Sequence, residues 1–499
     1  MNRKERCSAT TRRVPAELPT TGWTRTRGHV ASRSRGLLQG QTWLILLVST
    51  VGACRVGAAE TAAASPAKDV ARSVRVDFDR VQGPATHRAS GFLSSISVTS
   101  PPPEMVRPLK PRTFRLTMKR VGNLSTPMAL YDRLHNRLDA EIHVILDGAF
   151  RARIRPKCVG DDGDWKPWEV FVEQAVTESK QKGYRFHWDI WNEPNVDNWG
   201  KYPDQLPDGE KTKRFFEAWK RAWRKIKAVD PDAVIVGPSN SSYRLGKKYR
   251  LFTVEEFLLF AQREQVLPDV LSWHEFYETR LVSDVARARA FLKKQEIDIR
   301  KISIGEYGGR SQHTLAGTFV HYFANLERAS VDSAIRACSV DQNDKSTCSF
   351  ASLDGLLTNP ELKPRSTWWV YKAYADIEGN LVSVTGSDQI KGIAGHSPKS
   401  AHAGVLLGRK VGKKEKSASR ETVEVVLTGL KELAYLKNAA GKARLLVRRI
   451  PHSGWDALPR HDTISDAPVD FRDKLHVTLP AFGPHDAYRI DLYNGDRKK

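Results

Sequence analysis

The stretch HWDIWNEPN, residues 187 to 195, crowds aromatic, amide and carboxylate side chains into nine positions. The residues leading into it, GYRFHWDIW, suit a buried strand, which favours β-branched and aromatic side chains. Glu193 at the end of such a strand has another character, because carboxylates are rarely buried without a partner. Two more apolar runs end in the same way. PDVLSWHEFY places His274, Glu275 and Tyr277 at its close, and RKISIGEYGGR places Glu306 there with Arg310 four residues on. Arg115 stands near the end of RTFRLT. A lone glutamate at a strand end is ordinarily half of a salt bridge. Two of them, with aromatic residues beside each, suggest glycoside hydrolysis, in which paired carboxylates flank the scissile bond and a separation of about 5–5.5 Å means retained configuration.

Such a pair needs a scaffold that brings distant strand ends together. Across residues 85–378, strand-like and helix-like segments alternate. GFLSSISV, RTFRLT, EIHVILDGAF, GYRFHWDIW, DAVIVGP, PDVLSWHEF, RKISIGEYG and SAIRACSV read as strands. Most are followed by amphipathic runs such as WEVFVEQAVTESKQKG, which Gly183 should end, and KTKRFFEAWKRAWRKIKAVD. Eight strands with intervening helices predict a (β/α)8 barrel, whose active site lies where strands pass into the following loops. Strands four and seven face each other across such a barrel, so Glu193 and Glu306 should converge. From residue 379 to 499 the pattern changes to seven short strands without helices, which predicts a β-sandwich. SVRVDFD, within the 63–84 segment ahead of the barrel, is a candidate extra strand for it.

Residues 1–62 read as a leader and signal peptide. An arginine-rich stretch precedes the apolar run TWLILLVSTVGAC, which is short for a bilayer span and suited to a signal-peptide core. Its end resembles a lipoprotein cleavage box, with Cys54 as a possible lipid anchor and export as the expectation. The net charge of +23 favours polyanionic partners, but no zinc-finger spacing, homeodomain-like helix or aromatic RNA-binding motif accompanies it, so no nucleic-acid partner is expected. Of the later cysteines, Cys158, Cys338 and Cys348, the last two are candidates for a local bridge that spacing alone does not establish, and no cofactor or metal site is expected.

WNEPN at the fourth strand resembles the acid/base motif of the large clan of retaining glycosidases built on this barrel. Within that clan the chain most resembles glycoside hydrolase family 39, which includes β-xylosidases and α-L-iduronidases, over about residues 90–378. IGEYGG and GLLTNPELKPRSTWWVYKAY add to the likeness. The resemblance implies Glu193 as general acid/base, Glu306 as nucleophile and Asn192 as a ligand of the sugar 2-hydroxyl, with Tyr277 or His274 supporting the nucleophile. Arg115 is a further candidate donor to it, and Trp188, Trp191 and Pro194 are candidates for an apolar wall around the acid. Trp368 and Trp369 are expected in the core. AIRACSV, the eighth strand, lacks the aromatic that commonly floors the sugar site. The implied activity is cleavage of β-xylosidic or related linkages in an oligosaccharide or polysaccharide. Arg310 and the basic balance raise the alternative of a uronic-acid or sulfated glycan. A non-catalytic carbohydrate-binding protein on the same barrel is the rival outside the enzymes.

Overall fold

The computed structural model describes residues 72–118, 125–154, 159–196, 207–244, 251–412 and 419–495. The leader, Cys54 and Cys158 lie outside the described residues. Eight parallel strands close into a barrel in chain order: β2 (Gly91–Leu93), β3 (Thr113–Thr117), β4 (Glu141–Ile145), β5 (Phe186–Asp189), β6 (Val234–Asn240), β7 (Val270–Glu275), β8 (Lys301–Tyr307) and β9 (Ser333–Arg336). β1 (Arg72–Pro84) precedes them and belongs elsewhere. All eight expected barrel strands are present. Gly183, at φ +70°, follows the helix Lys166–Gln181, in the left-handed conformation that an L side chain adopts at a cost.

Strand alternation divides the barrel into two chemistries. Phe114, Ile142, Val144, Phe186, Trp188, Leu271, Trp273, Ile302 and Ile304 face the helices and form the main apolar core with them. The alternate positions Arg115, His143, His187, Asp189, Ser272, His274 and Ser303 are polar, and all but His187 are fully buried. The lumen is therefore unusually polar for a barrel of this type, whose interior is generally filled by branched aliphatic side chains.

After the barrel come β10 (Asn380–Thr385), β11 (Ile390–Ser397), β12 (His402–Arg409), β13 (Glu421–Thr428), β14 (Ala443–Ile450), β15 (Asp462–Val469), β16 (Lys474–Phe482) and β17 (Ala487–Asn494). With β1 they make one nine-stranded sheet in the order β15-β14-β17-β12-β11-β10-β1-β13-β16. SVRVDFD thus joins this sheet, antiparallel to β10 and parallel to β13. Val76, Phe78, Val405, Leu427, Leu479 and Ile490, from strands across the whole sheet, share one core, so the sheet curls on itself in the manner of a sandwich. β12 is buried on both faces: Val405 and Leu407 join that core, whereas Leu406 joins the barrel's. The sequence reading missed β15, because DTISDAPV is polar and holds a proline. As an edge strand it needs pairing on one side only, which tolerates both.

Candidate active site

The carboxylates reach the C-terminal mouth of the barrel by two departures from regular strand geometry. β5 ends at Asp189, and Glu193 follows four residues later with φ +49°, an uncommon conformation for a non-glycine residue. Its N–H donates to Ser239 O at 3.0 Å, which ties that turn to β6. Glu306 is turned by a β-bulge. Trp273 pairs with Ile304 but His274 pairs with Glu306, so Gly305 is the extra residue of β8. A Cβ on Gly305 would stand 3.0 Å from Ser272 Oγ and 3.1 Å from His274 Cδ2, closer than side chains normally approach.

The two glutamates meet around His274 and Arg115. Nδ1 of His274 lies 2.9 Å from Glu193 Oε1 and 3.8 Å from Glu306 Oε2. Arg115, fully buried, donates from Nη1 to Glu306 Oε1 at 2.9 Å and from Nε to Asp189 Oδ2 at 2.7 Å. One donor atom each from Glu193, His274 and Glu306 lies within 4.8 Å of the other two, a set that has the composition of a divalent-cation site as well as of a catalytic pair. Burial pushes the Glu306 carboxyl above its ordinary value and Glu193 adds to the push, while His274 and Arg115 pull it down; the balance is upward.

A cavity of about 790 Å³ opens beside Glu306, lined among others by Phe276, Tyr277, Arg310, His313 and Trp455. Arg310 is 72% exposed and, among the described residues, pairs only with an Asp344 oxygen at 3.8 Å, itself 94% exposed, so its charge is available to solvent. Tyr277 is 57% exposed, stacks with Arg280 at 4.6 Å and lines the cavity without contact to either carboxylate. Of His274 and Tyr277, the alternatives expected to support Glu306, His274 lies 3.8 Å from that carboxylate and Tyr277 shares the cavity lining with it. Asn192 sits beside Glu193, its backbone N–H bonded to Asp147 Oδ1 at 3.3 Å.

The expected apolar wall also differs. Trp188 lies on the helix side of β5, where alternation turns it away from the lumen, and Trp191, past the end of that strand, packs in the same main core against Trp168 and Phe215. Trp368 and Trp369 pack with the core as expected. Asp189 went unnoticed although it lies in the opening stretch; its alternation with Trp188 was the available signal. Trp455, from the loop after β14, gave none. It brings an aromatic ring to a cavity whose eighth strand has none, held by Arg365 Nε donating to its carbonyl at 2.7 Å. Cys338, which also lines the cavity, is bridged to Cys348.

The fold is the (β/α)8 barrel with an appended β-sheet domain that family 39 β-xylosidases share. A family 39 β-xylosidase from Caulobacter crescentus superposes with a TM-score of 0.57 over 85% of this chain and 100% of that one, at 17% identity. N2152 from Neocallimastix frontalis superposes with a TM-score of 0.68 over 85% of this chain and all of its own, at 22% identity. Likeness at these identities speaks for the fold. In sequence, the chain is similar to the 3-O-β-L-arabinopyranosyl-α-L-arabinofuranosidase of Bifidobacterium pseudocatenulatum, 23% identical over 305 residues. That match takes in 54% of this chain and spans 29% of the relative's length. No family model matches the sequence.

Proposed function

We propose that this protein is a retaining glycoside hydrolase that cleaves β-xylosidic or related glycan linkages by double displacement. The observation that carries the reading is the approach of one Glu193 oxygen and one Glu306 oxygen to within 4.8 Å at the barrel mouth, which suits the close spacing of a retaining pair. Glu306, against the Arg115 guanidinium, is the nucleophile. Its Oε attacks the anomeric carbon and forms a glycosyl ester as the bond to the leaving oxygen breaks. Glu193 gives that oxygen its proton, then takes one from the water that hydrolyses the ester. His274 holds the Glu193 carboxyl in position, and Asn192, next in the chain, is the proposed ligand of the sugar 2-hydroxyl. The test is a pair of variants on an activated aryl glycoside. Glu306→Ala should lose nearly all turnover, and azide should give it an inverted product. Glu193→Ala should still glycosylate but release sugar slowly, and azide should restore turnover with a retained glycosyl azide. Full activity in both variants would falsify the assignment.

The solvent-facing charge of Arg310 on the cavity supports a second reading, a uronic-acid or sulfated substrate. A guanidinium binds such an anion through paired charge-assisted hydrogen bonds. Arg310→Ala should then cost about tenfold or more in kcat/KM on an anionic substrate, with little change on its neutral analogue. Equal losses on both would leave Arg310 without this role. Export remains part of the proposal. The Cys338–Cys348 bridge supports it, since disulfides persist in oxidising compartments. Peptides from residues 1–50 in the mature native protein would count against it.

A further inference from the structure

At the opposite end of the barrel from the two carboxylates, the lumen holds a second group of ligating side chains that the proposed reaction does not use. Glu141 opens β4, His143 follows on the same face, and His143 is in register with His187 of β5. The two imidazoles stack at 5.1 Å between centroids with 28° between their planes. His143 Nε2 lies 3.8 Å and His187 Nδ1 4.0 Å from the same Glu141 oxygen, and one donor atom of each residue lies within 4.8 Å of the other two. Nδ1 of His187, the atom turned toward Glu141, is buried with no hydrogen-bond partner among the described residues. A buried polar atom left so costs free energy unless something satisfies it.

We propose that Glu141, His143 and His187 bind a divalent transition metal of the zinc class at the floor of the barrel. Two imidazoles and one carboxylate are a donor set that zinc accepts, with bonds of about 2.0–2.2 Å, which set tetrahedral ligands about 3.3–3.6 Å apart. The two separations from the Glu141 oxygen, 3.8 and 4.0 Å, are within a few tenths of an ångström of that range. Glu141 is the ligand free to close the gap, since its side chain is 51% exposed and stands at the first position of its strand. The two histidines are carried in register by neighbouring strands. Solvent at the Glu141 side supplies the fourth ligand. The competing charge is Lys301, which opens β8 and acts on both Glu141 and His187. The metal would pin β4 to β5 on the floor.

The full chain, stripped with a chelator, would be titrated with Zn²⁺ alone by calorimetry, with Tm followed in parallel and Co²⁺ absorption reporting the ligand geometry. The expected result is one tight equivalent, a higher Tm and a tetrahedral Co²⁺ spectrum. Both Glu141→Gln and His187→Asn should weaken that binding by at least about tenfold. Glu141→Gln alters a half-exposed side chain and so keeps the test open should the histidine variant fold poorly. Because Glu193, His274 and Glu306 also have a metal-binding composition, His274→Asn serves as the comparison. Binding that survives Glu141→Gln but is lost in His274→Asn overturns the floor site, as does an absence of tight binding in the unaltered protein.

Discussion

Arg115 is the residue on which the electrostatics of the carboxylate pair turn. It is wholly buried, with Asp189 on one side of its guanidinium and Glu306 on the other. Asp189 offsets part of its charge through the Nε hydrogen bond, and the Nη1 hydrogen bond directs it at Glu306. A cation in direct contact typically lowers a carboxyl pKa by about 1–3 units, which here opposes the upward push of burial. Arg115→Gln therefore raises the Glu306 pKa further. On the proposed reading Glu306 is the nucleophile and must be ionised, so the acidic limb of the kcat/KM profile should move to higher pH. A pH–rate series on the variant checks this, and a lower rate with an unmoved limb would make Arg115 architectural only. The glutamates were legible in the sequence because each ends an apolar run, and Arg115 because it interrupts a strand-like one. Asp189 was not, since its meaning depends on a partner two strands away, and Trp455 belongs to a segment whose approach to the barrel no local pattern records.

Among the elements, β8 and β7 show how irregularity serves the site. Gly305 adds one residue to β8 and swings Glu306 into the mouth, while Tyr307 returns to the helix side and donates to Ala89 O at 2.6 Å. Alternation read from sequence assigns strands well, because Ile302, Ser303 and Ile304 keep the period of two. It fails at the bulge, where two successive residues, Gly305 and Glu306, turn to the interior. In β7, Glu275 takes the helix side after His274 and is buried beside Asp284. Burial and then Asp284 push its carboxyl up to about 8. The folded chain thus keeps a proton that the unfolded chain releases near its ordinary value of 4.5. Between those values stability falls as pH rises, and the loss is complete above about 8, a matter of a few kcal/mol. Glu275→Gln holds a neutral side chain throughout. Its Tm should match the parent near pH 4.5 and exceed it at pH 8; parallel Tm–pH curves for the two proteins would refute this origin.

At the scale of the whole molecule, barrel and sheet meet backbone to backbone. The helix Ala316–Ala329 lies on β11 and β12, where Gly317 donates its N–H to His485 O at 2.7 Å and His321 Nε2 bonds Gly408 O at 3.0 Å. A Cβ on Gly317 would fall 2.2 Å from Arg409 O and 2.6 Å from Asp486 O, and neither carbonyl can rotate away as a side chain could. The junction bears on the site as well as on stability. Lys410, just past β12, pairs with buried Glu278 below the cavity loop, and the segment after β14 brings in Trp455. Forcing the sheet off the helix should therefore disturb a cavity wall that the barrel does not itself provide. Gly317→Ala is expected to cost about 1–3 kcal/mol through overpacking, despite the ordinary gain of alanine in a helix. Gly209, in the helix Asp208–Val229, has open space around its Cβ position, so Gly209→Ala should be neutral or stabilising by about 0.4–1 kcal/mol. Tm for the two variants, measured side by side, tests the junction. Gly317→Ala should also raise KM on glycans long enough to reach Trp455, more than on a short aryl glycoside. Equal Tm values for the two variants would mean that the sheet yields to the methyl group, and the cavity wall should then be unchanged too.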